Sequence, residues 1–545
     1  MERVLNYKVE TENGAKVCGS VKADGVVHVR VPLVNAKLKK VTATVALSAT
    51  ETTHIFMNGY QNWTYSPEYD IHGRTRGLKH LPCFLRGVKG INRYGDYHFI
   101  DYPYKEGITH GESWCYLRDG KKFLLFGSLD EIPGYTLFTY DANKGVLSIE
   151  RDCEGLKANG EFHAFDLWIA EGTEDEVFDG WFAAMGVKPL VREKQFGYSS
   201  WYNRYQDIND ETITDDLIGA KKLLKPGDLF QIDDGWETAV GDWLVPDAKK
   251  FPKGLKNAAD AIHAAGFRAG LWLAPFVCQK SSKLMAEHPD WLLLHDGKPW
   301  SDGSNWGGFY SLDIDNPEVV AYVEKFLDRV LNEWGFDLVK LDFLYSAAPF
   351  GTETESRAAR MCRAMNILRK ACRGKQILGC GVPLWPAFGI VEYCRVGCDV
   401  GLDWNSTKLM QITHRERVST KQSIEDTTFR RQLTGRAFMG DPDVFFLREK
   451  KSDRTPDGKK CKLTKEEKQY SLTPEEREKL YTVNALLGGM LLTSDALNTY
   501  TDAQKAKFNE VRRLMEEATD VSVNADDGLV LSWTLDGEAK TLRIL

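Results

Sequence analysis

No stretch of this 545-residue sequence is long and apolar enough to cross a bilayer as a helix. The best candidate, residues 480–492, is interrupted by Thr482 and Asn484 and falls short of the ~18 residues needed. The N-terminus, with Glu2, Arg3 and Lys8, lacks the apolar run of a secretory signal, so a cytoplasmic location with no membrane partner is expected. A basic block is missing too: 71 Lys and Arg against 78 Asp and Glu leave a net charge of −7 spread along the chain, which argues against a nucleic-acid partner. The 11 cysteines are odd in number and scattered from Cys18 to Cys461, which suits a reducing compartment rather than a disulfide framework. Cys394 and Cys398 sit four apart, but between 380 and 410 only Cys380 and no histidine could join them, so neither a metal nor a cofactor is expected. What the chain does have is tryptophan, 15 residues in all, a side chain that stacks on flat apolar ligand faces and makes a carbohydrate site worth seeking.

Up to about residue 190 the pattern is one of short alternating runs, such as Val27, Val29 and Val31 or Val41, Ala43, Val45 and Leu47, separated by Gly, Asn and Asp turns. An N-terminal β-sandwich over 1–190 is predicted, with a helix near 174–185 leading out of it. From Phe196 strands alternate with amphipathic helices, which predicts a central (β/α)8 TIM barrel over 191–500. The eight strands are placed at 196–201, 229–233, 268–273, 310–313, 338–343, 377–381, 394–399 and 445–447. Asn316-Pro317 is an N-cap and N1 pair that opens a helix over 317–334. The charged stretch 448–468 reads as an exposed insertion able to act as a lid, and 501–545 as a short C-terminal β domain.

Polar residues crowd the C-terminal ends of these strands, the rim where such barrels hold chemistry. Asp233, Asp234 and Trp236 follow the second, Trp272 closes the third, Lys340 and Asp342 the fifth, Cys380 and Gly381 the sixth, and Arg395 and Asp399 the seventh. Asp342 and Lys340 interrupt an apolar run buried on both faces, where an unpaired carboxylate is costly; a catalytic Asp342 is favoured over a plain Asp342–Lys340 salt bridge. Two carboxylates without a metal or nucleotide motif suggest glycosidic bond hydrolysis, which in its retaining form needs a nucleophile and an acid/base about 5 Å apart. Asp342, beside Lys340, is expected to stay ionised as nucleophile, Asp399 to donate and remove a proton, and Arg395 to hydrogen-bond the site or a sugar hydroxyl. Asp233 and Asp234 are expected to accept hydrogen bonds from sugar hydroxyls, while Trp236, Trp272 and Trp385 are either stacking faces or core. Asp441 or Asp443 reaches the mouth, or belongs to a helix-ending turn.

With these residues in view the chain resembles glycoside hydrolase family 36, in the α-galactosidase clan, and in particular its compact bacterial and thermophilic members. The resemblance is carried by Asn58-Gly59-Tyr60-Gln61-Asn62-Trp63, Trp201, Gln231-Ile232-Asp233-Asp234-Gly235-Trp236, Leu271-Trp272-Leu273-Ala274-Pro275-Phe276, Val339-Lys340-Leu341-Asp342-Phe343-Leu344, Leu378-Gly379-Cys380-Gly381 and Arg395-Val396-Gly397-Cys398-Asp399. It implies retaining hydrolysis of terminal α-galactose in small oligosaccharides of the melibiose or raffinose type, with Asp342 as nucleophile and Asp399 as acid/base. It also implies that Asp233, Asp234, Trp272, Lys340, Cys380, Gly381 and Arg395 line the terminal-sugar subsite, together with Trp385 and Trp201, and that the sandwich loop carrying Trp63 reaches the site. Asn62 departs from the family's small residue at that position, and Val382 from the serine of close relatives. α-N-acetylgalactosamine as the sugar, galactosyl transfer to an acceptor, sugar binding without catalysis, and assembly into a homo-oligomer stay open.

Overall fold

The protein is described from a computed structural model covering residues 2–78, 84, 93–96, 100, 102–406, 408, 411, 415–449 and 472–545. The expected insertion at 448–468 lies almost entirely outside the described residues.

Eleven antiparallel strands form the N-terminal unit around one long strand, Gly25–Ala46, whose valines and leucines alternate between core and solvent. Its first part pairs with Lys157–Gly172, and its last part with Val4–Thr11 and Val146–Arg151, so a single strand belongs to both halves of the sheet. Val29 and Val31 from one half share a core with Val41, Val45, Phe138 and Ile149 from the other, which is the packing of a sandwich. Helix Glu174–Met185 follows, with a Thr173–Glu176 capping box at its start and Gly186 in the left-handed conformation at its end.

The central unit is a parallel sheet in the order Met439–Asp441, Tyr393–Arg395, Gln376–Gly379, Leu338–Leu341, Arg268–Leu273, Leu229–Ile232, Gln195–Ser199, Met490–Thr493 and Val444–Phe445. Met439–Asp441 and Val444–Phe445 are one strand interrupted at Pro442-Asp443. Its first piece pairs with Tyr393–Arg395 and its second with Met490–Thr493, so the sheet closes into an eight-stranded barrel. One expected strand is not a barrel strand. Phe309–Ser311 pairs antiparallel with Val277–Gln279 and Ser301–Gly303 in a small sheet built on the loop after the third barrel strand. The eighth barrel strand is instead Met490–Thr493, which follows helix Pro474–Leu487 with only Gly488 and Gly489 between. Asp342 and Asp399 therefore follow the fourth and sixth barrel strands, not the fifth and seventh.

Helix Asp502–Glu517, which the periodicity reading passed over, packs against the barrel through Phe508, whose ring lies 5.3 Å from Phe196 and 6.1 Å from Phe445. A three-stranded antiparallel sheet of Thr519–Asn524, Val530–Leu535 and Glu538–Arg543 follows. Among the described residues no helix is long and apolar enough to cross a membrane.

Candidate active site

In the strand Leu338–Leu341 alternate residues face the barrel interior, so Lys340 and Asp342 project to the same side while Val339 and Leu341 pack outward. The Asp342 amide continues the ladder by donating to Leu273 at 2.9 Å. Its carboxylate accepts from the Trp272 indole N–H at 3.1 Å and from the Phe343 amide at 2.8 Å. Burial pushes the Asp342 carboxyl above the ordinary range; Lys340, the Cys380 thiol and the Trp272 N–H pull it back, while Asp399 adds to the rise. Lys340 makes its ion pair with Asp233, 2.9 Å from Nζ to Oδ2. Burial opposes the charge on Lys340, but Asp233, with smaller contributions from Cys380 and Asp342, keeps it above the ordinary lysine range.

Arg395 ends the strand Tyr393–Arg395 and is only 1% exposed, yet three carboxylates surround it. Its Nη2 lies 2.8 Å from Asp399 Oδ1 and 3.2 Å from Asp443 Oδ2, and its Nε 3.9 Å from Asp441 Oδ2. The Asp399 side chain is 39% exposed and opens into a cavity of about 450 Å³, within the range of about 300–1,000 Å³ usual for small-molecule sites. Asp342, Asp399, Lys340, Arg395, Asp233, Asp234, Trp272, Trp201 and Trp63 all line this cavity.

Asp233 and Asp234 follow the second strand and are held differently. Asp233 Oδ2 accepts from Gln231 at 2.7 Å and from Lys340, whereas Asp234 Oδ2 accepts from Gln206 at 2.8 Å and from the Trp306 indole at 2.9 Å. The Asp234 carboxylate is also hydrogen-bonded by the Glu237 carboxyl. Burial and then the Asp234 charge drive the Glu237 carboxyl well above its ordinary range.

The sandwich loop reaches the barrel through Arg430, a residue with no exposed surface. Its guanidinium donates to Asn58 Oδ1 (3.0 Å), to the carbonyls of Asn62 (2.7 Å), Thr64 (3.0 Å) and Val396 (2.8 Å), and to Ser66 Oγ (2.8 Å). Asn62 adds a reciprocal pair with Val382, accepting from its N–H at 2.9 Å and donating its own N–H to the carbonyl at 3.0 Å. Trp63 is thereby set edge-on to Phe343, ring centroids 5.2 Å apart.

Three of the residues expected to bind substrate are not among those lining the cavity. Cys380 is buried directly behind Asp342. Gly381 has φ +57°, and a Cβ there would meet the Phe343 amide nitrogen at 2.7 Å, so glycine lets the fifth-strand loop close against the Asp342 segment. Trp385 lies away from the cavity, its indole donating to the Ser128 carbonyl at 3.2 Å on the sandwich side. Trp236 is core, with no exposure and its indole N–H on the Trp272 carbonyl at 2.9 Å. Of Asp441 and Asp443, Asp443 lines the cavity.

The cavity also uses residues that sequence reasoning did not single out: Tyr94, Tyr202, Gln206, Asn305, Trp306 and the segment Glu416-Arg417-Val418. Trp306, at φ +54° next to Gly307 and Gly308, was the one with a signal, since the Asn-Trp-Gly-Gly run marks a tight turn. As for ion binding, the one group of ligand-type side chains close together among the described residues is Asp130, His163 and Asp166. It lies on the N-terminal sheet, where Arg30 already pairs with Asp166 at 2.6 Å.

Residues 191–367 match the Melibiase family model. The α-galactosidase TtGalA from Thermus thermophilus, solved in complex with p-nitrophenyl α-D-galactopyranoside, superposes with a TM-score of 0.72 at 25% identity over 98% of each chain. The family 36 α-galactosidase AgaA from Geobacillus stearothermophilus superposes with a TM-score of 0.55 at 14% identity, covering 97% of this chain and 80% of that one, a likeness of fold. In sequence, α-galactosidase 1 of Pediococcus pentosaceus is 30% identical over 158 residues, 28% of this chain. That match spans about a fifth of the curated relative's length, 21%.

Proposed function

We propose that this chain, with its Melibiase match and its TtGalA-like fold, is a family 36 glycoside hydrolase that removes terminal α-galactose from small oligosaccharides with retention of configuration. One observation carries the reading: two carboxylates in unlike settings line one cavity, Asp342 buried and fixed by two N–H donors, Asp399 39% exposed beside Arg395. Two-carboxylate chemistry needs two such groups facing one bound sugar, and the roles, Asp342 as nucleophile and Asp399 as acid/base, follow the family 36 resemblance.

In the first step the Asp342 carboxylate attacks the anomeric carbon while the protonated Asp399 gives its proton to the glycosidic oxygen, and the C–O bond to the leaving sugar breaks. The product is a glycosyl ester on Asp342. In the second step Asp399, now a carboxylate, removes a proton from water, the hydroxide attacks the same carbon, and Asp342 departs. The N–H groups of Trp272 and Phe343 hold Asp342 in line throughout, so little reorganisation is needed as its charge is consumed and restored. Lys340, Asp233 and Asp234 offer donors and acceptors for sugar hydroxyls, and Trp306, Trp272 and Trp63 the aromatic faces for its C–H bonds.

The division into 1–190, 191–500 and 501–545 is kept as a proposal, as is a cytoplasmic location, which the nine described cysteines, all free thiols, support. The test is hydrolysis of p-nitrophenyl α-galactoside by wild type and by Asp342→Ala, with the anomer of the released sugar followed by NMR. Equal rates for the two proteins, release of the β-anomer first, or a preference for the α-N-acetylgalactosaminide overturns the reading.

A further inference from the structure

Asp443 has no assigned part in the chemistry just described, yet it is closely held beside Arg395. It occupies a left-handed backbone conformation, φ +76°, at the point where the seventh barrel strand is interrupted. A non-glycine residue persists there only when its surroundings over-determine it. Its Oδ2 accepts from the Tyr202 hydroxyl at 2.7 Å and the Val400 amide at 2.8 Å, and forms an ion pair with Arg395 Nη2 at 3.2 Å. Val400 directly follows Asp399, and the same Nη2 reaches Asp399 Oδ1 at 2.8 Å.

We propose that Asp443 is a positioning residue for Asp399: it anchors the Val400 amide that follows Asp399 and shares with it the Arg395 Nη2, so that the cation is divided between two carboxylates. The proposal rests on Asp399 being the acid/base. A carboxyl that must be protonated for the first step is poorly served by an undivided arginine, because an adjacent guanidinium favours the ionised form by about 1–3 pH units. Sharing Nη2 with Asp443 divides the cation between two carboxylates, although burial also raises the Asp443 carboxyl. Asp441 is the weaker sharer. It stands 3.9 Å from Arg395, and burial, only partly offset by Arg395, lifts its carboxyl to about 7.

Other titratable groups face Asp399 from several elements. Asp342 and Lys340 lie across the cavity on the fourth strand segment, and the Cys380 thiol lies behind them. Tyr202 and Tyr205 come from the segment after the first strand, and Glu416 and Arg417 from the rim. Among these, Asp443 is the one that shares the Arg395 nitrogen with Asp399.

The test is the pH dependence of kcat/KM on melibiose for wild type, Asp443→Asn, Tyr202→Phe and Asp399→Ala. With Asn at 443 the basic limb is expected about one pH unit lower, with the acid limb in place. Tyr202→Phe, which removes one donor from Asp443, is expected to move the limb the same way by less, and serves if Asp443→Asn does not fold. A rate reduced by the same factor at every pH, with the limb unmoved, overturns the proposal. If Asp399→Ala keeps the wild-type basic limb, the acid/base assignment itself has failed; if it loses the limb while Asp443→Asn keeps it, the sharing alone has failed.

Discussion

Lys340 gives its ion pair to Asp233, 2.9 Å away on the neighbouring half of the barrel, rather than to Asp342 two residues along its own strand. The two residues share a face, but the ammonium turns to the second-strand carboxylate. Asp342 is left to two neutral N–H donors and the Cys380 thiol. A nucleophile closed in a tight ion pair would have to break it before attacking; one held by N–H groups is oriented and still available.

Replacing Asp342 by Ala or Asn is therefore expected to lower kcat on p-nitrophenyl α-galactoside by roughly 10³-fold or more, since no neighbouring carboxylate can take its position. Asn keeps the shape, and galactose binding measured by calorimetry is expected to persist. Loss of binding together with rate would mean a structural role.

Asp399→Ala removes the proton donor but not the nucleophile. On natural oligosaccharides a fall of about 10²–10⁴-fold is expected, and a much smaller one on a p-nitrophenyl substrate, whose leaving group needs little protonation. Added azide is expected to restore turnover and give an α-galactosyl azide. Equal losses on both substrates would remove Asp399 from the acid/base role.

The Cys380 thiol is among the groups holding down the Asp342 carboxyl, which burial raises. Cys380→Ala is expected to let it rise further, so the acid limb of the kcat/KM profile moves to higher pH, while Cys380→Ser, which keeps a donor, stays near wild type. Acid limbs that stay at the wild-type position in both variants would show that the thiol acts only by filling space.

Arg430→Leu leaves the carbonyls of Asn62, Thr64 and Val396 and the Asp426 carboxyl without their cation in a site closed to water. A destabilisation of about 3–5 kcal/mol is expected, read by chemical denaturation. At temperatures where the variant is folded, KM should rise more than kcat falls, because Trp63 loses its anchor. A variant as stable as wild type would show that the loop is held by packing alone.

Glu131 makes stability depend on pH. Burial raises its carboxyl to about 7, against the pull of Arg151. A carboxyl raised in the folded state contributes stability that is fully present below its unfolded value, near 4.3, and is lost as pH climbs through 7. The melting temperature of Glu131→Gln relative to wild type is thus expected to improve between pH 5 and 8. A constant difference across that window would falsify the assignment.

The local pattern was enough for the order of the three units, for most barrel strands, and for the strand-end set Asp233, Asp342, Arg395 and Asp399, because alternation and apolar runs are properties of neighbouring residues. Short apolar runs do not disclose their partners. Phe309–Ser311 and Met490–Thr493 read alike, and only pairing made one an antiparallel excursion and the other the closing barrel strand. The allocation of charge was equally hidden: that Lys340 answers Asp233, that Arg395 is divided between Asp399 and Asp443, and that Arg430 ties the Trp63 loop to the barrel. Electrostatic partners are chosen by distances of a few ångströms, whether the residues are 4 positions apart, as Arg395 and Asp399, or 368, as Arg430 and Asn62. Those distances exist only after the sheet has closed and the sandwich has docked on it.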